Sequence, residues 1–192
     1  MINKKLLAEI CEVAGAPGHE QRVREIVIKQ VKPLVDEIRI DNMGNVLAIK
    51  KGNERKKVMI AAHMDEIAFY VRHIDSNGHL WVNPAGGFDT RNLFSRRVLV
   101  CTDKGDHVGV MNPGGKPAHI ASPEERKRVP EASEFFIDLG MAPEKVAKLV
   151  KIGDFVVMHE PFLDQPQSVV SKAIDNRFAC WIAIEALRVV SR

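Results

Sequence analysis

A chain of 192 residues with 45% hydrophobic and 28% charged residues has the composition of a soluble globular protein and can bury roughly 70% of the surface it exposes unfolded. Its net charge of +3 comes from scattered lysines and arginines, which excludes the basic footprint of a nucleic-acid binder, and no apolar run approaches the roughly 18 residues that cross a bilayer. The three cysteines, Cys11, Cys101 and Cys180, are odd in number and widely spread, so they fit reduced core thiols better than disulfides or a cysteine zinc site.

At the start, Met1–Leu7 has basic residues but no signal-peptide core follows, since Glu9 and Glu12 interrupt it, so a cytoplasmic location is expected. Leu6, Leu7, Ile10, Cys11, Val13 and Ala14 recur at helical spacing and predict a helix over residues 3–14, ended by Gly15. A second helix begins near Gly18–Glu20, carries Val23, Ile26, Val27 and Val31 on one stripe, and breaks at or shortly after Pro33. Glu37–Ile40 and Asn45–Lys50 flank the turn Asp41-Asn42-Met43-Gly44 and predict a hairpin with Leu47 and Ile49 on its core face.

Five apolar residues, Val58 to Ala62, follow the charged run Glu54–Lys57 and predict a strand buried on both faces. His63 and Asp65 stand two apart at its end, so in extended chain both project to one side, where an imidazole can ligate a metal and a carboxylate can stand behind it. A His and an acid after a strand also occur as a turn or surface pair. Against that, charge delivered to the edge of a core calls for a partner or a metal.

From Phe69 the pattern turns to short strands with Gly turns: Phe69–Ile74, Leu80–Asn83, Arg97–Thr102 and Val108–Met111, a barrel-like all-β unit. Pro143–Leu149 predicts a short helix, Gly153–Met158 a returning strand and Pro161–Gln167 a linker. Asp175 precedes a helical stripe of Phe178, Ile182, Ala186, Leu187 and Val190. By spacing alone it is equally a helix N-cap or a site residue.

Ala62-His63-Met64-Asp65-Glu66-Ile67 resembles the HMDEIG signature of the metal-dependent aminopeptidases of the glutamyl/deblocking, tetrahedral type, some of which have carried the name endoglucanase; Ala68 stands where the signature usually has Gly. Further likenesses follow in order: Ala14–Glu20 to an SGxxGxE turn, Asp41–Ala48 to a D-x-x-G-N-V-x-A ribbon, and Pro117-Ala118-His119, Glu124-Glu125-Arg126 and Phe135–Gly140 to a PHL, EER, LFIDIG run. Lys172–Arg177 is similar to the second motif, K-A-x-D-[DN]-R, with Asn176 where Asp is frequent.

The resemblance implies an α/β fold: an incomplete co-catalytic zinc-peptidase α/β layer, residues 1–69 plus 164–192, and an inserted all-β PDZ-like barrel domain, residues 70–163, that carries subunit contacts. It implies that His63 is a metal ligand, that Asp65 orients it in a catalytic supporting role, and that Asp175 bridges two divalent metal ions, zinc or cobalt. The expected partners are peptide substrates and further copies of the chain, a dodecamer in the family, with neither nucleic acid nor membrane.

In the family a Glu-Glu pair and further Asp and His ligands lie downstream of the second motif, and this chain stops at Arg192. Glu124-Glu125 falls in the β unit and matches a surface run, and His73, His79, His107, His119 and His159 are scattered there. The expectation is therefore a dinuclear aminopeptidase that removes N-terminal residues by metal-activated water, with the 192-residue chain alone inactive. The alternative is a truncated, non-catalytic relative serving as an assembly or interaction module.

Overall fold

The computed structural model describes residues 3–116 and 119–191, so Pro117 and Ala118, the first two residues compared with the PHL run, lie outside it. The described chain divides into two compact units, Met1–Glu66 with Pro161–Arg192, and Ile67–Glu160.

In the first unit, α1 (Lys4–Glu12) starts where the Asn3 side chain accepts from the Leu6 backbone N–H at 3.1 Å, satisfying a donor that a helix start leaves free. α2 (Gln21–Val31) ends immediately before Lys32-Pro33. Both pack against the last helix of the chain, Ile174–Val190, around Leu6, Ile10, Val23, Val31 and Ile184. Each of these side chains contributes about 1.5–3 kcal/mol by leaving water. The indole of Trp181 donates to the Asn3 carbonyl at 3.1 Å, and the Ser191 hydroxyl donates to the Leu34 carbonyl at 2.7 Å.

β1 (Glu37–Ile40) and β2 (Val46–Ile49) pair antiparallel about the Asp41–Gly44 turn. The Asp41 carboxylate fixes that turn by accepting from the backbone N–H of Met43 and Asn45. One expectation is corrected: Leu47 is exposed, while its neighbour Ala48, opposite Ile38, packs on the helical core. Because side chains alternate, the core takes one face of the ribbon, and that face is the one carrying Ile38 and Ala48.

A larger correction concerns Val58–Ala62. It forms no strand, and Val58, Met59 and Ile60 are 91%, 87% and 56% exposed. A strand buried on both faces needs neighbours to accept its backbone and cover its side chains, and no described segment pairs with it.

In the second unit six antiparallel strands close a barrel: β3 (Ala68–Ile74), β4 (Leu80–Ala85), β5 (Arg96–Thr102), β6 (Gly105–Pro113), β7 (Phe135–Asp138) and β8 (Phe155–Met158), in the order β3-β4-β7-β6-β5-β8. Closure removes the free edges that a sheet otherwise exposes. Alternate residues of each strand, among them Phe69, Val71, Leu80, Val82, Val98 and Val100, fill the interior. Gly109 of β6 sits where an added Cβ would come within 2.6 Å of the Ile137 side chain, so β6 and β7 approach only because that position has none. β7 falls in a segment that the sequence marks only by its family likeness, and α3 (Pro123–Lys127), also outside the sequence expectation, is opened by a capping box between Ser122 and Glu125. α4 (Pro143–Leu149) brings Val146 against the barrel core.

The stretch expected as a linker holds a strand, β9 (Leu163–Asp164), paired with β10 (Val169–Val170), and the chain then enters α5 (Ile174–Val190). All three cysteines are free and buried. Among the described residues no helix is long and apolar enough to cross a membrane.

Candidate metal centre

His63 and Asp175 are 112 positions apart in the sequence and meet in the fold. His63 Nδ1 lies 2.8 Å from Asp65 Oδ1, and Nε2 lies 3.3 Å from Asp175 Oδ1. Ionised carboxylates only accept hydrogen bonds, so each ring nitrogen facing one carries a proton when both contacts are made. The pKa of His63 moves accordingly: burial alone lowers it, but the bonds and charges of Asp65, then of Asp175, outweigh burial and leave it raised.

The backbone under these side chains is fixed from two directions. Glu66 N–H donates to the Gly15 carbonyl at 3.0 Å, the Cys180 thiol donates to the His63 carbonyl at 3.3 Å, and Arg177 Nε donates to the Met64 carbonyl at 2.8 Å. Thus an irregular segment is held by α5 and by the loop that joins α1 to α2. Burial pushes the Cys180 thiol up to about 11, which keeps it a neutral donor.

Asp175 does not cap α5. Ala173 stands at the cap position, and the Asp175 side chain is 98% exposed and reaches His63. The peptide bond between Asp175 and Asn176 is cis.

Behind the pair lies an ionic cluster of which the sequence showed only the members. Glu66 is buried and its Oε1 accepts from Lys172 Nζ at 2.6 Å and from Arg177 Nη2 at 3.2 Å. Burial raises the pKa of Glu66, and the two cations pull against that rise. Arg177 is fully buried and also donates to the carbonyls of Ile10, Cys11, Val13 and Gly15. Burial lowers its pKa, opposed first by Glu66. The signal that could have found this cluster is the E of the first motif and the K and R of the second, three charges on otherwise apolar segments.

An imidazole nitrogen and carboxylate oxygens form a donor set of the kind that zinc or cobalt takes. A cation seated between Nε2 and Oδ1 would take the place of the proton they share. The set is small: among the described residues no group of three or more His, Cys, Asp or Glu side chains is arranged to hold a metal ion. Glu124 and Glu125 are exposed in the second unit, where Glu125 caps α3 and pairs with Lys116 at 2.9 Å.

Residues 44–192 match the family model described as M42 glutamyl aminopeptidase. The chain is 31% identical to the lysyl aminopeptidase of Pyrococcus furiosus over 98% of its own length and 55% of that protein's. A TET aminopeptidase from the marine sediment archaeon Thaumarchaeota archaeon SCGC AB-539-E09 superposes with a TM-score of 0.90 at 36% identity, over 97% of this chain and 53% of the other. The TET1 peptidase of Pyrococcus horikoshii, described as assembling into a tetrahedron or a large octahedral shell, matches with a TM-score of 0.82 at 34% identity, over 96% of this chain and 55% of its own. The chain thus spans about half the length of the relatives it matches.

Proposed function

Because the chain belongs to the M42 glutamyl aminopeptidase family, we propose that it carries part of the centre of a dinuclear metallo-aminopeptidase, which removes N-terminal residues from peptides. The observation that carries this is the meeting of His63 Nε2 with Asp175 Oδ1 at 3.3 Å while Asp65 holds the opposite ring nitrogen. His63 and Asp175 are the proposed ligands. Asp65 fixes the tautomer that leaves Nε2 free for coordination, as the partner of a ligating histidine does.

When bound, a pair of divalent cations supplies Lewis acidity to a peptide carbonyl and lowers the pKa of water. The residues of this chain hold and orient. Asp175 offers two oxygens on a side chain free of other bonds, which suits a carboxylate shared between two cations about 3.5–4 Å apart. His63, half exposed, leaves its ring within reach of solvent and substrate.

Two ligands are fewer than the three protein groups plus water of a catalytic zinc, so we expect the 192-residue chain to hold metal weakly, well under one ion per chain after desalting. It is expected to hydrolyse aminoacyl-anilides no faster than background, since a positioned general base alone contributes about 10²–10⁴ in rate. Joined to the remaining half of a relative such as the P. furiosus lysyl aminopeptidase, it is expected to hydrolyse them, and His63→Ala in that protein abolishes the rate. Turnover that survives both His63→Ala and chelator would overturn the assignment. Assembly through the barrel unit into a homo-oligomer is part of the proposal, supported by the tetrahedral and octahedral shells of the P. horikoshii peptidase. A cytoplasmic location fits the same reading.

A further inference from the structure

A single buried carboxylate touches both ends of the loop that presents Asp175, residues 172–177, where Asp175 and Asn176 depart from helical φ and ψ at the start of α5. Lys172 lies three residues before Asp175 and Arg177 two residues after it, and both donate to Oε1 of Glu66, at 2.6 Å and 3.2 Å. All three side chains are more than nine-tenths buried. Glu66 itself belongs to the segment that carries His63 and Asp65.

We propose that Glu66 is a positioning residue, whose carboxylate clamps the two ends of the 172–177 loop to the 63–66 segment and thereby holds Asp175 against His63. The proposal rests on the ligand roles given above to His63 and Asp175, and extends them to a residue that touches neither metal nor substrate.

The physical argument begins from cost. Removing a carboxylate, an ammonium and a guanidinium from water is expensive, and well-packed apolar side chains would stabilise a core equally well or better. What an ion cluster adds is direction. A charged acceptor with two donors admits few arrangements, and here the donors come from opposite ends of one loop. Among the described residues His63 is the hydrogen-bond partner of the Asp175 side chain, which is otherwise almost wholly exposed. Its place is therefore set by its backbone, and Lys172 and Arg177 set that backbone. Arg177 reinforces the register by also donating to the Met64 carbonyl, one residue from His63.

The test reads the His63 ring directly and needs no metal. In the metal-free 192-residue chain at one fixed pH, the Cε1–Hε1 correlations of the seven histidines are recorded, with His63 assigned by its loss in His63→Ala. Asp175→Ala defines the displacement of the His63 signal when the contact is gone. Glu66→Gln is expected to move it by about half of that displacement or more, with the other six signals in place, because loss of an outer partner of this kind costs about 10–100-fold at a metal site. Lys172→Met, which keeps the Arg177 pair, is expected to move it in the same direction. The double variant is expected to move it no further than Glu66→Gln alone, since the two act through one contact.

An unmoved His63 signal in a folded variant, or equal movement of all seven, overturns the proposal. Failure of both variants to fold overturns it too, in favour of a purely structural cluster. Cobalt is then added to the wild-type chain. Selective broadening of His63, requiring about tenfold more cobalt in Glu66→Gln, supports both the clamp and the metal centre. No broadening in the wild type overturns the metal centre alone, because the metal-free shifts stand by themselves.

Discussion

Arg177 is the residue on which the first unit turns. Its guanidinium, fully buried, serves carbonyls in the last turn of α1 and in the α1–α2 loop, a carbonyl of the 63–66 segment and the Glu66 carboxylate. Arg177→Ala leaves several of these carbonyls without their donor and the Glu66 carboxylate with Lys172 as its remaining cation. The expected loss is about 3–5 kcal/mol, read as a fall in the urea midpoint at unchanged slope. Arg177→Lys keeps the charge without the planar fork and is expected to recover less than half of it. Gly15 answers to the same side chain: a Cβ there would come within 2.7 Å of Val23 and 2.8 Å of Arg177 Nη2. Gly15→Ala is accordingly expected to cost about 1–3 kcal/mol by overpacking, measured in the same titration. In the sequence Arg177 stands out only as the last residue of the second motif. Its partners were not legible, because they come from residues 10–15 and 64–66, which only folding brings together.

Among the elements, the β3–β4 turn shows how a barrel strand pair is tied. Asp75 accepts from the backbone N–H of Asn77 and His79 and from the Trp81 indole. Burial alone would raise its pKa, but these donors outweigh burial and hold the carboxyl below its ordinary value. A carboxylate with a depressed folded pKa contributes stability above its unfolded pKa, and that contribution is lost as the pH falls through the folded value. The melting temperature of Asp75→Asn is thus expected to lie below wild type at neutral pH, with the gap closing below about pH 4. Calorimetry at several pH values checks this, and a gap that widens on acidification would contradict it. Inside the barrel, Leu80→Ala is expected to cost about 2–5 kcal/mol, because its site is fully buried between strands that cannot collapse onto it.

For the molecule as a whole, the exposed apolar run Val58–Ile60 is the feature most at odds with a soluble surface. Neighbouring apolar side chains on an unpaired extended segment invite pairing with another chain. The 192-residue protein is expected to sediment above monomer mass at micromolar concentration, and Met59→Lys with Ile60→Lys to shift it toward monomer. A monomeric wild type would show that the run stays covered or solvated by other means.

What the sequence determined by itself is local in origin. The helices 4–12 and 21–31, the 37–49 hairpin and most barrel strands follow from periodicity and turn residues, which act over a few positions. The two motifs, His63-Met64-Asp65-Glu66 and Lys172–Arg177, were legible as residue types, the second at the start of a helix and the first after a stretch that forms no strand. Only the tertiary structure decided the rest. Which face of β2 is buried depended on where the helices lie, and whether Val58–Ala62 becomes a strand depended on neighbours it does not find among the described residues. Likewise the neighbour of the Asp175 carboxylate is chosen at long range: His63 Nε2, 112 positions away in the sequence, lies 3.3 Å from it. Spacing along a chain specifies which groups a segment offers, while the partner that satisfies each group is chosen by packing at long range.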